Sequence, residues 1–150
     1  MVVDFVLRKT PLVRTLSRTW KGPWKDRRIR DEFEKLEKGM RGAGIRTGRW
    51  FFVGDYERSR YLVAIEARGR LRPVEGARAK TFPKGRIAAV EFDPQSVSPR
   101  VIYHGLSDWL RWRKKDKTIQ SAGAYREVYP SNPWKDRTAE SRTQVQVVVR

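Results

Sequence analysis

One pattern occurs twice in this chain and limits its folds more than any other feature: strand, helix, strand, strand. In the first half, residues 4–8 (DFVLR) and 12–20 (LVRTLSRTW) are β-prone, and Leu12, Arg14, Leu16 and Arg18 alternate with Val13, Thr15, Ser17 and Thr19. After Gly22-Pro23, the apolar residues Ile29, Phe33, Leu36 and Met40 recur at helical spacing among Asp, Glu, Lys and Arg. Pro23 suits the first turn of this helix, and Gly39, Gly42 and Gly44 supply the left-handed conformations that end it. Strands at 49–53 and 60–67 follow, joined by a turn at Gly54-Asp55.

The basic stretch Arg68 to Lys80 carries Gly and Pro without an apolar period and is expected to be a linker. The pattern then restarts. A strand over 81–92 is entered through Pro83-Gly85, and Ser98-Pro99 is a strong helix start. That helix is expected to run to about Lys115, with a buried stripe of Ile102, Leu106, Trp109 and Leu110. Strands at 123–129 and 142–150 complete the second run. One such unit exposes an apolar sheet face that a second copy covers or extends. The expectation is an α+β fold, a single domain over 1–150 made of two pseudo-repeats, about 1–70 and 78–150, with a groove at their junction.

Composition removes several function classes. With no Cys and one His, His104, a disulfide scaffold, a thiolate metal site and a His-rich metal centre are excluded, and no cofactor is expected. No apolar run approaches the ~20 residues that span a bilayer. Asp4 stands where a signal peptide is basic or apolar, so a soluble, cytoplasmic protein with no membrane partner is expected. The 34 Lys and Arg against 17 Asp and Glu give a net charge of +17, spread through both halves. That excess is read either as solvated surface or as attraction to an anionic partner, nucleic acid first. His104 shares its helix with Ser107 and Asp108, but three residues on one helix cannot divide the roles of a catalytic triad. The glycine-rich stretch 39–48 lacks the Lys and Ser or Thr of a phosphate loop and reads as a helix end.

The most informative segment is Tyr125-Arg126-Glu127-Val128-Tyr129. On a strand, period two places Tyr125, Glu127 and Tyr129 on one face, a carboxylate between two phenols. Such a face suits a flat cationic or hydrogen-bonding aromatic molecule. It equally describes a surface strand whose glutamate pairs with a neighbouring arginine.

Together, FPKGRIAAVEF (82–92), LSDWLRW (106–112), EVYPSNP (127–133) and TQVQVVV (143–149) resemble, in order and spacing, the GyrI-like family, which includes the effector-binding domains of multidrug-sensing transcription activators. VRTLSRTWKGP (13–23) matches the start of that family's domain more loosely. The resemblance implies a duplicated strand-helix-strand-strand fold, with an antiparallel sheet and two helices around a central groove that takes small, often aromatic and cationic molecules. It maps the family's pocket glutamate onto Glu127 and the following tyrosine onto Tyr129. It places paired aromatics near Phe51 and Phe52, and an indole at Trp109. With Tyr125, the residues Glu127, Tyr129, Phe52 and Trp109 form the candidate ligand site. The closing segment departs from the family, with Gln144 in place of a frequent carboxylate and Val148 in place of a proline.

Three functions follow as expectations. The first is a stand-alone small-molecule-binding protein acting as sensor, sequestering protein or regulatory module, if need be with a separate partner protein. No DNA-reading helix-turn-helix is expected ahead of a fold that starts in the first residues. The second, implied by the resemblance, is a hydrolase of strained-ring, DNA-alkylating compounds using Glu127 and Tyr129. The third is a nucleic-acid-associated or gyrase-modulating protein, favoured by charge.

Overall fold

A computed structural model describes residues 3–150, leaving Met1 and Val2 of the predicted domain outside the described residues. In chain order the elements are β1 (Val6–Thr10), β2 (Val13–Lys21), α1 (Asp26–Gly42), β3 (Arg46–Asp55), β4 (Arg60–Arg68), β5 (Arg78–Phe82), β6 (Gly85–Phe92), α2 (Pro99–Lys115), β7 (Ala122–Tyr129), α3 (Arg137–Glu140) and β8 (Thr143–Val149). They form two compact units, one from Leu12 to Pro83, the other from residues 1–11 with Lys84 to Arg150. Every strand pairing within each unit is antiparallel.

In the unit Leu12 to Pro83 the strands lie in the order β5-β2-β4-β3. The predicted stripe of α1, Ile29, Phe33, Leu36 and Met40, is buried, and Phe33 stacks on Trp50 of β3 at 4.7 Å. Pro23 lies outside the helix, because Lys25 takes the N-cap position and α1 begins at Asp26. Of the three glycines expected to end α1, only Gly44 takes the left-handed conformation, φ +76°. The amide of Gly44 donates to the Arg41 carbonyl and that of Ile45 to Met40, which is the reversal that stops a helix after a glycine. At the β3 bulge, a Cβ on Gly48 would lie 2.6 Å from a Glu66 carboxylate oxygen.

The segment expected as a linker contains a strand, β5, on which the main-chain carbonyls of Lys80 and Arg78 accept from the hydroxyls of Thr15 and Ser17. Four of its five residues are exposed, so backbone pairing rather than an apolar period forms it. The predicted strand 81–92 is correspondingly two strands, broken at Pro83-Lys84. The turn expected at Gly54-Asp55 falls at residues 56–59, with β3 running on through Asp55.

In the other unit the order is β1-β6-β8-β7. Here α2 starts at Pro99 and ends at Lys115, as Ser98-Pro99 and the apolar spacing predict. Its residues Ile102, Leu106 and Leu110 bury against Ala88, Val90, Val145 and Val147, and Trp109 is only partly buried beside them. At roughly 2 kcal/mol for each large side chain, this seam is the main support of the unit. The four-residue helix α3, which no apolar period marks, is set by Asp136, whose carboxylate accepts from the Thr138 amide. Among the described residues, no helix is long and apolar enough to cross a membrane.

Glu32 of α1 is the least expected core residue, at 3% exposure. Burial pushes its carboxyl up, but a hydrogen bond and the charge of Arg18, followed by those of Arg28, outweigh burial and hold it below the usual range. The Arg18 Nε lies 2.7 Å from Glu32 Oε2 and the Arg28 Nε 3.0 Å from Oε1. A carboxyl held low in the folded state contributes stability above its ordinary pKa and loses it as pH falls from there through its lowered folded value. Glu32→Gln, which leaves Arg18 half-paired, is expected to cost about 2–4 kcal/mol at neutral pH. In urea unfolding, the gap between wild type and variant should narrow as pH is lowered from neutrality toward the folded pKa of Glu32.

Candidate functional site

β7 carries the segment that the sequence singles out. Glu127 pairs with Val145 of β8 and Tyr125 with Val147, so both side chains share the face that those valines bury against α2. The period-two prediction therefore holds for the direction of the strand, and it brings Tyr125, Glu127 and Tyr129 together. All three are half-buried. The Tyr129 hydroxyl donates to Glu127 Oε2. The second carboxylate oxygen, Oε1, accepts at 2.6 Å from the hydroxyl of Tyr103, a residue of α2 next to the buried stripe. Tyr103 in turn stacks on Tyr125, with ring centroids 5.8 Å apart. One carboxylate is thus held by phenols from two different elements, which fixes its plane and leaves it facing a cleft.

That cleft is a cavity of about 200 Å³. Phe92, Tyr129 and Trp134 give it aromatic walls, and Glu127 and Glu140 bring two carboxylates to it. Pro94, Pro99 and Pro133 stiffen its rim. Trp134 is set by the turn after β7, where Asn132 Oδ1 accepts from the Trp134 amide at 3.0 Å, and its ring lies 6.3 Å from that of Tyr129. The side-chain amide nitrogen of Asn132 is buried without a hydrogen-bond partner among the described residues. On the far rim, Arg137 donates to Asp93 at 2.6 Å and Gln95 to Glu140 at 2.7 Å, joining α3 to the turn after β6. The Arg137 hydrogen bond holds the Asp93 carboxyl below its usual range.

The other candidates lie elsewhere. Trp109 packs on Phe5 at 5.9 Å, under the guanidinium of Arg113, and does not line the cavity. Phe52 belongs to the unit Leu12 to Pro83, where it is buried beside Trp24 and Tyr61. Gln144 pairs with Val128 and so lies on the opposite face of β7 and β8 from Glu127, where it accepts from Arg8 at 3.0 Å. A roomier cavity of about 540 Å³ opens in the Leu12 to Pro83 unit, where Trp20 and Tyr61 line it with Val53, Leu62 and Asp55, a carboxylate 3.9 Å from Arg58. Among the described residues, no group of three or more His, Cys, Asp or Glu is placed to hold a metal ion.

Phe92, Tyr103, Trp134 and Glu140 are functional candidates here that the sequence did not assign to this site. Trp134 had a visible signal, since it directly follows the EVYPSNP segment. Tyr103 had none, because a tyrosine beside a buried helical stripe is ordinary core packing.

No family model matches the chain, and no curated protein matches it in sequence. Solved structures do. The C-terminal domain of EcmrR superposes at a TM-score of 0.76 and 16% identity, over 100% of this chain and 99% of that one. EcmrR in its DNA complex matches at 0.74 and 15%, over 99% of this chain and 57% of that one. This chain has their fold. SAV2435 bound to tetraphenylphosphonium aligns at 0.56 and 10%, over 98% and 94% of the two chains. A hydrolase encoded by lin2189 from Listeria innocua aligns at 0.60 and 11%, over 98% and 92%. The α+β fold with an antiparallel sheet that the GyrI-like resemblance implies is therefore the one shared with these proteins.

Hydrogen bonds to a charged acceptor are worth roughly 1.5–3 kcal/mol each. Tyr103→Phe and Tyr129→Phe should each destabilise the protein within or just below that range in urea unfolding. The double variant should cost more than the sum, because the half-buried carboxylate then loses both phenolic donors.

Proposed function

We propose that this chain binds a small aromatic molecule carrying a cationic or hydrogen-bonding group, and that Glu127 and Tyr129 hold it, with Trp134 and Phe92 as stacking walls. The observation that carries the reading is the Glu127 carboxylate, oriented by Tyr103 and Tyr129 at the mouth of an aromatic cavity. A fixed negative charge between aromatic faces recognises such a molecule through charge, hydrogen bonding and ring contact together. The fold it shares with SAV2435, which was captured with an aromatic cation, supports the same class of ligand. A cavity of about 200 Å³ favours a compact ligand of one or two rings, since drug-sized pockets run to roughly 300–1,000 Å³. Trp109 and Phe52 remain ligand candidates of lower rank, since neither is among the residues that line this cavity. The protein then serves as a cytoplasmic sensor or sequestering module, reporting through a separate regulatory partner.

The test is thermal stabilisation by a panel of aromatic amines and dyes, with tetraphenylphosphonium included. Several compounds should raise the melting temperature of wild type, and Glu127→Gln should weaken their binding about tenfold or more. A panel that leaves wild type unmoved, or a Glu127→Gln variant that binds as tightly, removes the proposal. A second reading is supported by the pairing of a carboxylate with adjacent phenolic protons and by the fold shared with the Listeria hydrolase: general acid-base hydrolysis of strained-ring compounds. Turnover of an epoxide or cyclopropane substrate by wild type but not by Glu127→Gln selects it; equal background loss eliminates it.

A further inference from the structure

The cationic excess of the unit built from residues 1–11 and 84–150 collects at one end. Strand register aligns Lys9 with Arg86 and Arg86 with Val149, so the last turns of β1 and β8 and the start of β6 lie side by side. The C-terminus of α2 joins them, since the Arg86 guanidinium reaches the Thr118 carbonyl and the amide of Ser121 donates to Arg150. Lys9, Lys84, Arg86, Lys114, Lys115 and Lys117 are all exposed here. Among the described residues, none of the six has an ion-pair partner. The nearest carboxylate in sequence, Asp116, is taken by Arg113 and by Thr118. The dipole of α2 favours cations at its C-terminus, but a run of this length exceeds what one helix end requires.

Two further observations point to a ligand. Trp112 of α2 is 70% exposed, more than any other large apolar side chain of the described residues, and Lys115 Nζ sits 5.9 Å from its ring centroid. Lys117 has φ +64°, a conformation that L side chains other than Asn and Asp rarely take. It occupies the helix-stop position: the Lys117 amide donates to Lys114 and that of Thr118 to Arg113, the same reversal that Gly44 makes after α1. Where one helix of this chain stops on the unstrained residue, glycine, the other stops on a cation held against its own backbone preference.

We propose that this end of the unit binds single-stranded nucleic acid, with Lys114, Lys115, Lys117 and Arg86 on the phosphates and Trp112 stacked on a base. A flat indole needs an unpaired base face, which a duplex does not present. A membrane surface fits less well, because among the described residues the exposed large apolar side chains of α2 are only Val101 and Trp112, too few and too far apart for an apolar stripe.

Anisotropy of end-labelled oligo-dT and oligo-U of about 20 nucleotides, read between about 50 and 200 mM salt, tests the proposal. Binding by either is expected, with about a thirtyfold loss of affinity over that range for three to four phosphate contacts. Trp112→Ala should weaken binding about tenfold at every salt concentration without changing the slope. The triple variant Lys114→Gln, Lys115→Gln, Lys117→Gln should lower the slope by about 2. An equal charge removal on α1, Lys35→Gln, Lys38→Gln, Arg41→Gln, should leave it unchanged. Lys117→Gly should raise the melting temperature by a few degrees while weakening binding; unchanged binding would make the lysine merely structural and count against the site. Glu127→Gln should bind oligonucleotides as wild type does, which keeps this test separate from that of the ligand cavity. The proposal is overturned by no binding at the lowest salt, by Trp112→Ala matching wild type, by the α1 control losing as much slope, or by phosphatidylserine vesicles binding where oligonucleotides do not.

Discussion

The seam between α2 and the sheet beneath it sets the position of everything chemically distinctive in its unit. Ile102, Leu106 and Leu110 lock the helix onto Val90, Val145 and Val147, and this fixes both its rotation and its height above β7. Only with that rotation does Tyr103 turn toward Glu127. The same rotation sends Trp112 and Lys115 outward. Apolar packing with no chemistry of its own therefore determines where a carboxylate is held and where an indole is exposed.

The elements with a regular apolar period were the ones most readable from the sequence. Ser98-Pro99 marked the start of α2 and the apolar stripe its approximate end, and period two gave the direction of Tyr125, Glu127 and Tyr129. β5 was missed for a physical reason. It is an exposed basic segment paired along one side to β2, and main-chain hydrogen bonds leave no hydropathy signal. Glu32 escaped notice for the converse reason: a charged residue in a helix reads as solvated unless its partner is known, and Arg18 comes from a strand fourteen positions earlier. The second phenol on Glu127 belongs to the same class, since it arrives from α2, 24 positions away.

Charge works on two scales in this molecule. The net +17 repels cations from a distance, whereas the Glu127 carboxylate favours them inside the cavity, Glu140 being paired with Arg137 at 3.2 Å. Salt screens the first over roughly 8–10 Å and affects the second much less. The half-buried Glu127 carboxylate thus keeps its preference at ionic strengths where the general repulsion has faded. The departure at Gln144 does not weaken that preference, because its side chain lies on the other face of the sheet, against Arg8.

The sheet of the second unit is discontinuous along the chain: Thr10 lies against Gly85 and Val6 against Ala89, while all the residues of the Leu12 to Pro83 unit are threaded between them. During synthesis from the N-terminus, β1 leaves the ribosome long before the strand that pairs with it, and the intervening unit has every one of its own strands available first. The order of assembly is thereby written into the connectivity. Because β1 pairs with β6, its place in the sheet exists only after the whole Leu12 to Pro83 unit has been made.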